Sequence, residues 1–101
     1  MSLFSEEDID KNINLEDYPE RVLQVLCHLY NENKRGRKII PQNEFNNKLY
    51  IPRASVSYST NRLEDDGVIE KIPLGRRRKG IRLIRGISEE EYKKIRVYLV
   101  R

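Results

Sequence analysis

The run IPRASVSYSTNRLEDDG, residues 51–67, decides how the rest of the chain is read. At helical spacing Val56, Thr60 and Leu63 fall on one stripe, with Ala54 beside them. Arg53, Ser57, Tyr58, Asn61 and Arg62 fall elsewhere on the surface. Pro52 suits a first helical turn, where a missing N–H costs nothing, and Gly67 suits the stop. The spacing predicts a helix of about four turns with a narrow apolar stripe and small polar and basic groups outside it. Such a helix meets no steric obstruction in a DNA major groove.

Immediately upstream, Pro41 to Lys48 reads as a brief helix with Phe45 and Leu49 inward and Gln42, Asn43, Asn46 and Asn47 outward. Leu49 to Ile51 makes the turn between the two. Two short helices joined by about four residues, the second polar on its outer face, form a helix-turn-helix arrangement. Lys38 to Ile40 is a short β-like piece. Before it, an amphipathic helix runs from Tyr18 or Pro19 to about Asn33, with Val22, Leu23, Leu26, Cys27, Leu29 and Tyr30 on its apolar face. Asp17 is the expected cap, Pro19 lies in the first turn, and Lys34 to Gly36 end the helix. Cys27 reads as a buried filler. His28 has no ligand-type partner nearby in sequence and is assigned no chemistry.

Downstream of Gly67, Val68 to Pro73 is a strand by its β-branched content. LGRRRKG, residues 74–80, places four consecutive cations between two glycines, and Ile81 to Ile84 returns as a second strand. This is a β-hairpin with a basic tip, joined directly to the central helix. Ser88, followed by Glu89, Glu90 and Glu91, starts a last helix in which Tyr92, Ile95, Tyr98 and Leu99 share one side. Val97 and Val100 widen that apolar surface beyond what a small core needs.

The 101 residues, 38% hydrophobic and 36% charged, fit a single domain with one modest core. No apolar run approaches the roughly 18 to 20 residues of a membrane span, and MSLFSEEDID has no apolar signal region. A cytoplasmic, DNA-associated protein with no membrane contact is expected. One cysteine and one histidine exclude an intramolecular disulfide framework and a cysteine-rich zinc site, so no metal or cofactor is expected. No Ser-His-Asp set, P-loop or HExxH occurs, and no enzymatic activity or catalytic residue is expected. Charge is segregated. Residues 1–20 hold seven acids against Lys11 alone, a net of −6, and the chain's formal +4 therefore leaves +10 on the remainder. A basic body meets a polyanion, and an acidic arm faces elsewhere.

SVSYSTNRLEDDGVIEKI, residues 55–72, resembles the passage from recognition helix through Leu-Glu-x-x-Gly-hydrophobic-Ile into the wing of MarR/PadR-like winged helix-turn-helix proteins. The resemblance covers about residues 18–85. The loop GRRRKG departs from the Asp-x-Arg pair that MarR wings usually carry. The compact form and the richness in Lys, Arg, Glu and Ile look more like small archaeal, viral or plasmid DNA-binding proteins.

The expected fold is α+β and mainly helical: a winged helix-turn-helix with a two-stranded β-hairpin wing and a C-terminal helix. Residues 1–17 form an acidic arm and dimerisation segment, 18–85 the DNA-binding domain, and 86–101 a second dimerisation element. The expected function is sequence-specific binding of double-stranded DNA by a homodimeric transcription regulator. Helix 52–66 enters the major groove, with Arg53 and Tyr58 leading for base edges, Ser55, Ser57 and Asn61 for bases or phosphates, and Arg62 for phosphate. Gln42 and Asn43 meet backbone phosphate. Arg76, Arg77, Arg78 and Lys79 grip the flanking minor groove or backbone, since four adjacent cations repel one another without an anionic partner. Phe4, Ile9, Ile13, Tyr92, Ile95, Tyr98 and Leu99 are the dimerisation candidates. Two alternatives share the architecture. One is a plasmid partition or DNA-coating protein that spreads along DNA, with the acidic arm engaging neighbouring copies or a partner protein. The other is a winged helix used purely for protein contact.

Overall fold

Apolar residues at helical spacing organise helix α1, Glu20–Lys34, which buries Val22, Leu23, Val25, Leu26 and Leu29 along one face. The computed structural model describes residues 14–99. Phe4, Ile9 and Ile13, and Val100 and Arg101 of the expected last helix, lie outside these residues. Asp17 does not cap α1. It closes a short 3-10 turn, Leu15–Asp17, and Pro19 takes the N-cap position without a side-chain cap bond. At the other end Gly36, at φ +94°, lets the Arg37 N–H reach the Glu32 carbonyl at 2.9 Å and its own N–H reach Asn33 at 3.0 Å. This is a Schellman closure. Cys27 is partly buried against the core rather than sealed in it, and burial pushes its thiol up to about 11.

The elements that follow are β1 (Ile39–Pro41), α2 (Gln42–Leu49), α3 (Arg53–Asp65), β2 (Ile69–Gly75), β3 (Arg78–Leu83) and α4 (Glu89–Leu99). The fold is α+β and mainly helical, with an antiparallel sheet ordered β1-β3-β2. The two-stranded hairpin expected from the sequence is thus one part of a three-stranded sheet. Ile40 pairs with Ile81, and both are fully buried, so the short β-like piece is drawn onto β3 by a shared core face. The hairpin strands also extend into the expected loop 74–80. Pro73 pairs with Lys79 and Gly75 with Arg78, leaving only Arg76 and Arg77 as the turn and a register shift at Leu74.

Helix α3 buries Val56, Thr60 and Leu63 as the stripe predicts, together with Ser59, while Ala54 is exposed. The Thr60 hydroxyl donates to the Val56 carbonyl at 2.9 Å, which makes a polar residue tolerable in that stripe. Gly67, at φ +79°, closes α3 as the sequence indicates: its N–H bonds Glu64 O, and the Val68 N–H bonds Leu63 O at 2.9 Å. Helix α4 opens on a reciprocal capping box. The Glu91 N–H donates to Ser88 Oγ at 3.1 Å, and the Ser88 N–H to Glu91 Oε1 at 3.0 Å.

Packing of α4 on α1 rests on stacked rings. Tyr92 lies 4.1 Å from Tyr30 at 15°, with Lys34 over the Tyr30 ring and Arg96 over the Tyr92 ring. The Tyr92 hydroxyl donates to Asn31 Oδ1 at 2.9 Å, and Ile95 is buried in the core. Of the apolar side chains on α4, Val97 and Tyr98 are the ones left exposed. Among the described residues no helix is long and apolar enough to cross a membrane.

Gly80 is not a loop boundary but the centre of the sheet, paired with Pro41 on one side and Ile72 on the other. A Cβ there would lie 2.5 Å from Ile39 Cγ2 and 3.2 Å from both Leu74 Cδ atoms. Gly80→Ala is expected to cost about 1–3 kcal/mol, read as a lower urea midpoint. Adding Ile39→Ala, which removes the closest atom, is expected to recover part of that loss.

Candidate functional site

The site begins with a buried charge cluster that the sequence did not disclose. Glu32 near the end of α1 and Glu44 in the first turn of α2 are both buried, and the Arg37 guanidinium lies between them. Arg37 Nη1 donates to Glu32 Oε1 at 2.8 Å and Nη2 to Glu44 Oε1 at 2.9 Å. His28 Nε2 donates to Glu44 Oε2 at 2.7 Å, and its ring meets Phe45 edge-on. His28, given no role from sequence, therefore pins α1 to α2. Hydrogen bonds from Arg37 hold the Glu44 carboxyl down at about 2 against the opposing effect of burial, and Arg37 lowers Glu32 in the same way.

With α2 so fixed, its N-terminus forms one wall of a solvent-open cleft of about 280 Å³. Gln42, Asn43 and Asn46 line that wall; Arg53, Val56 and Ser57 of α3 line the second. The third is the hairpin tip, through Arg77, Arg78 and Lys79. Among the described residues no carboxylate lines the cleft. Three sequence-distant groups of candidate residues thus converge on one concave face. Helix α3 has no acid in its first turn, so the positive end of its dipole is uncompensated there. Arg53 and the run Arg76 to Lys79 form no ion pair among the described residues. Arg77 sits at φ +57°, a left-handed conformation that costs a non-glycine residue roughly 1–2 kcal/mol.

Not every candidate joins this face. Ser55 and Tyr58 line a shallower depression on the opposite flank of α3, with Pro19, Arg21 and Val22 of the α1 end. Arg62 belongs to that flank as well: Nη1 reaches the Tyr58 hydroxyl at 3.3 Å, and the guanidinium lies 5.0 Å over the Tyr18 ring. Tyr18 donates to Asp66 at 2.5 Å, and its hydroxyl pKa is raised by burial and by that bond. Asn61 is tied to Lys71 of β2. Arg53 and Tyr58, paired as leading candidates by sequence, therefore stand on different sides of the helix. The sequence missed Asn46, Arg78's strand position and the Glu44 cluster; only the i to i+4 spacing of Gln42 and Asn46 hinted at a shared wall.

No family model, no curated protein and no solved structure matches this chain.

The Glu44 cluster makes stability depend on acid. A carboxyl depressed from its ordinary 4.5 to about 2 contributes stability that is fully present above pH 4.5 and is lost as pH falls toward 2. Chemical denaturation of the parent chain is therefore expected to show a falling limb over that window, to which Glu32 adds in the same direction. Glu44→Gln is expected to cost about 1–3 kcal/mol at neutral pH and to flatten the limb.

Proposed function

We propose that this chain binds double-stranded DNA as a winged helix-turn-helix protein, with α3 in the major groove and the β2–β3 tip on the adjoining backbone and minor groove. One observation carries the reading. A single concave face without carboxylates collects Gln42 and Asn43 from α2, Arg53 and Ser57 from α3, and Arg77, Arg78 and Lys79 from the hairpin.

The physical fit supports it. A duplex presents two convex sugar–phosphate ridges separated by grooves, and the major groove, about 12 Å wide, admits one α-helix. With α3 in the groove, one ridge runs through the cleft between α3 and the hairpin. There it meets arginines, a lysine, carboxamides and the free N–H groups at the start of α2. Arg77 and its neighbours then reach the next groove. The N-terminal half of α3 makes the contact, because exposed Glu64 and Asp65 at its far end repel phosphate. The element order α1–β1–α2–α3–β2–β3, two short helices followed directly by a hairpin with a basic tip, supports the same reading.

Regulation of transcription follows from sequence-specific binding by a pair of such subunits. Exposed Val97 and Tyr98 on α4 give the apolar surface for a two-fold partner. Two α3 helices related by that axis read half-sites about one helical turn, roughly 34 Å, apart.

Replacing Arg76, Arg77 and Arg78 together by Ala is expected to weaken binding to all duplexes alike. It should reduce the slope of log K against log salt by roughly 2 to 3, near 0.9 for each phosphate that is no longer neutralised. An unchanged slope, measured by fluorescence anisotropy at four salt concentrations, would remove the hairpin from the DNA-binding surface. Light scattering at micromolar concentration is expected to give a dimer, which Val97→Lys with Tyr98→Lys converts to monomer; a monomeric parent chain would sink the two-fold arrangement.

A further inference from the structure

Among the described residues, two that are not glycine adopt a positive φ: Arg77 at the hairpin tip and Tyr50, φ +58°, at the turn from α2 into α3. Tyr50 is also 83% exposed, the most exposed of the large hydrophobic side chains. Its backbone is held firmly. The Tyr50 N–H bonds the Phe45 carbonyl, the Ile51 N–H reaches that carbonyl at 3.3 Å, and Asn46 Nδ2 donates to Ile51 O at 2.8 Å. Ile51, next in the chain, is fully buried. The turn is thus fixed on both sides of a residue whose own ring packs on almost nothing.

Folding gives no reason for a tyrosine at this place. A left-handed position ending a helix is taken most cheaply by glycine, and any L side chain there costs roughly 1–2 kcal/mol. An exposed ring returns little of that through burial. Strain of this kind, overdetermined by its surroundings, concentrates where a side chain is presented to a ligand. Tyr50 lies between Asn46 and Arg53 in the chain, and both line the carboxylate-free cleft. Arg77, the other strained residue, lines the same cleft from the hairpin side.

We propose that Tyr50 is a further DNA contact, its hydroxyl donating to a phosphate oxygen of the strand that runs through the cleft. The inference rests on the duplex-binding reading above. Being neutral, a tyrosine hydroxyl displaces no counterion, so its removal leaves a signature unlike that of the arginines.

The test compares the parent chain, Tyr50→Phe and Tyr50→Gly, with the triple Arg76, Arg77, Arg78 to Ala variant alongside, on several unrelated duplexes across a salt series. Tyr50→Phe keeps the ring and loses only the donor. Tyr50→Gly also relieves the backbone, and circular dichroism checks its fold. Both are expected to bind every duplex roughly tenfold more weakly with the salt slope of the parent. Parent affinity in either variant overturns the proposal, as does a loss confined to one base sequence. Should the triple arginine variant lose affinity and slope while the Tyr50 variants bind as the parent does, the contact at Tyr50 fails and the duplex-binding reading stands. A parent chain that binds no duplex defeats both.

Discussion

One guanidinium, that of Arg37, sets the relation between the first two helices. It bridges buried Glu32 at the end of α1 and buried Glu44 at the start of α2, while His28 supplies a further donor to Glu44. Desolvating such carboxylates costs several kcal/mol each, and pairing offsets that cost without a large surplus. What the cluster supplies is geometry. Arg37 is the residue that completes the Schellman closure of α1, where an apolar contact with Glu32's position is usual. Here an ion pair takes its place, and the same side chain then reaches forward to α2. The helix stop and the helix–helix contact are one device, and the wall of the cleft built by Gln42 and Asn43 depends on it.

The opposite wall depends on a second Schellman closure. Gly67 turns the chain out of α3, Val68 and Leu63 are buried together, and the Val68 carbonyl accepts N–H groups from both Ile84 and Arg85. The base of the hairpin is therefore fastened to the end of α3. Farther along, Lys71 is tied to Asn61, and Glu70 pairs with Arg82 across the strands. The sheet is completed by β1, whose Ile39 closes over Gly80. A hairpin braced at its base and middle, with a two-residue turn at its tip, holds Arg77 to Lys79 at a fixed distance from α3.

Local signals were legible in the sequence. The stripe of Val56, Thr60 and Leu63, the stop at Gly67 and the cap at Ser88 each depend on residues within one or two turns. Contacts between distant parts of the chain were not. The pairing of Ile40 with Ile81 and the bond between His28 and Glu44 arise only when separate elements meet, and no spacing rule announces them. Periodicity also placed Tyr58 and Arg53 outside the apolar stripe without telling that their flanks differ. That distinction is set by what stands beside α3: the hairpin tip on one side, the α1 end on the other. The convergence of Gln42, Arg53 and Arg78 on one cleft was legible only as a shared chemistry, since three elements had to be placed before it became a surface.

Charge distribution follows from the same placements. The formal excess of +4 is modest for 101 residues. Many basic side chains are neutralised within the fold: Arg35 and Arg37 by Glu32, Arg37 again by Glu44, Arg82 by Glu70, and Arg85 by Glu91. Arg53 and the four cations from Arg76 to Lys79 meet no carboxylate among the described residues. Internal pairing thus neutralises part of the basic charge, while Arg53, Arg77, Arg78 and Lys79 bring unneutralised charge together on one cleft. Like charges gathered there repel one another, weakly in salt but always unfavourably. Two further costs are the left-handed backbone at Arg77, in the cleft, and at Tyr50, in the turn from α2 into α3. Each of these features lowers the stability of the isolated chain, and the repulsion among the cleft cations is the one that an anion lying between them would offset.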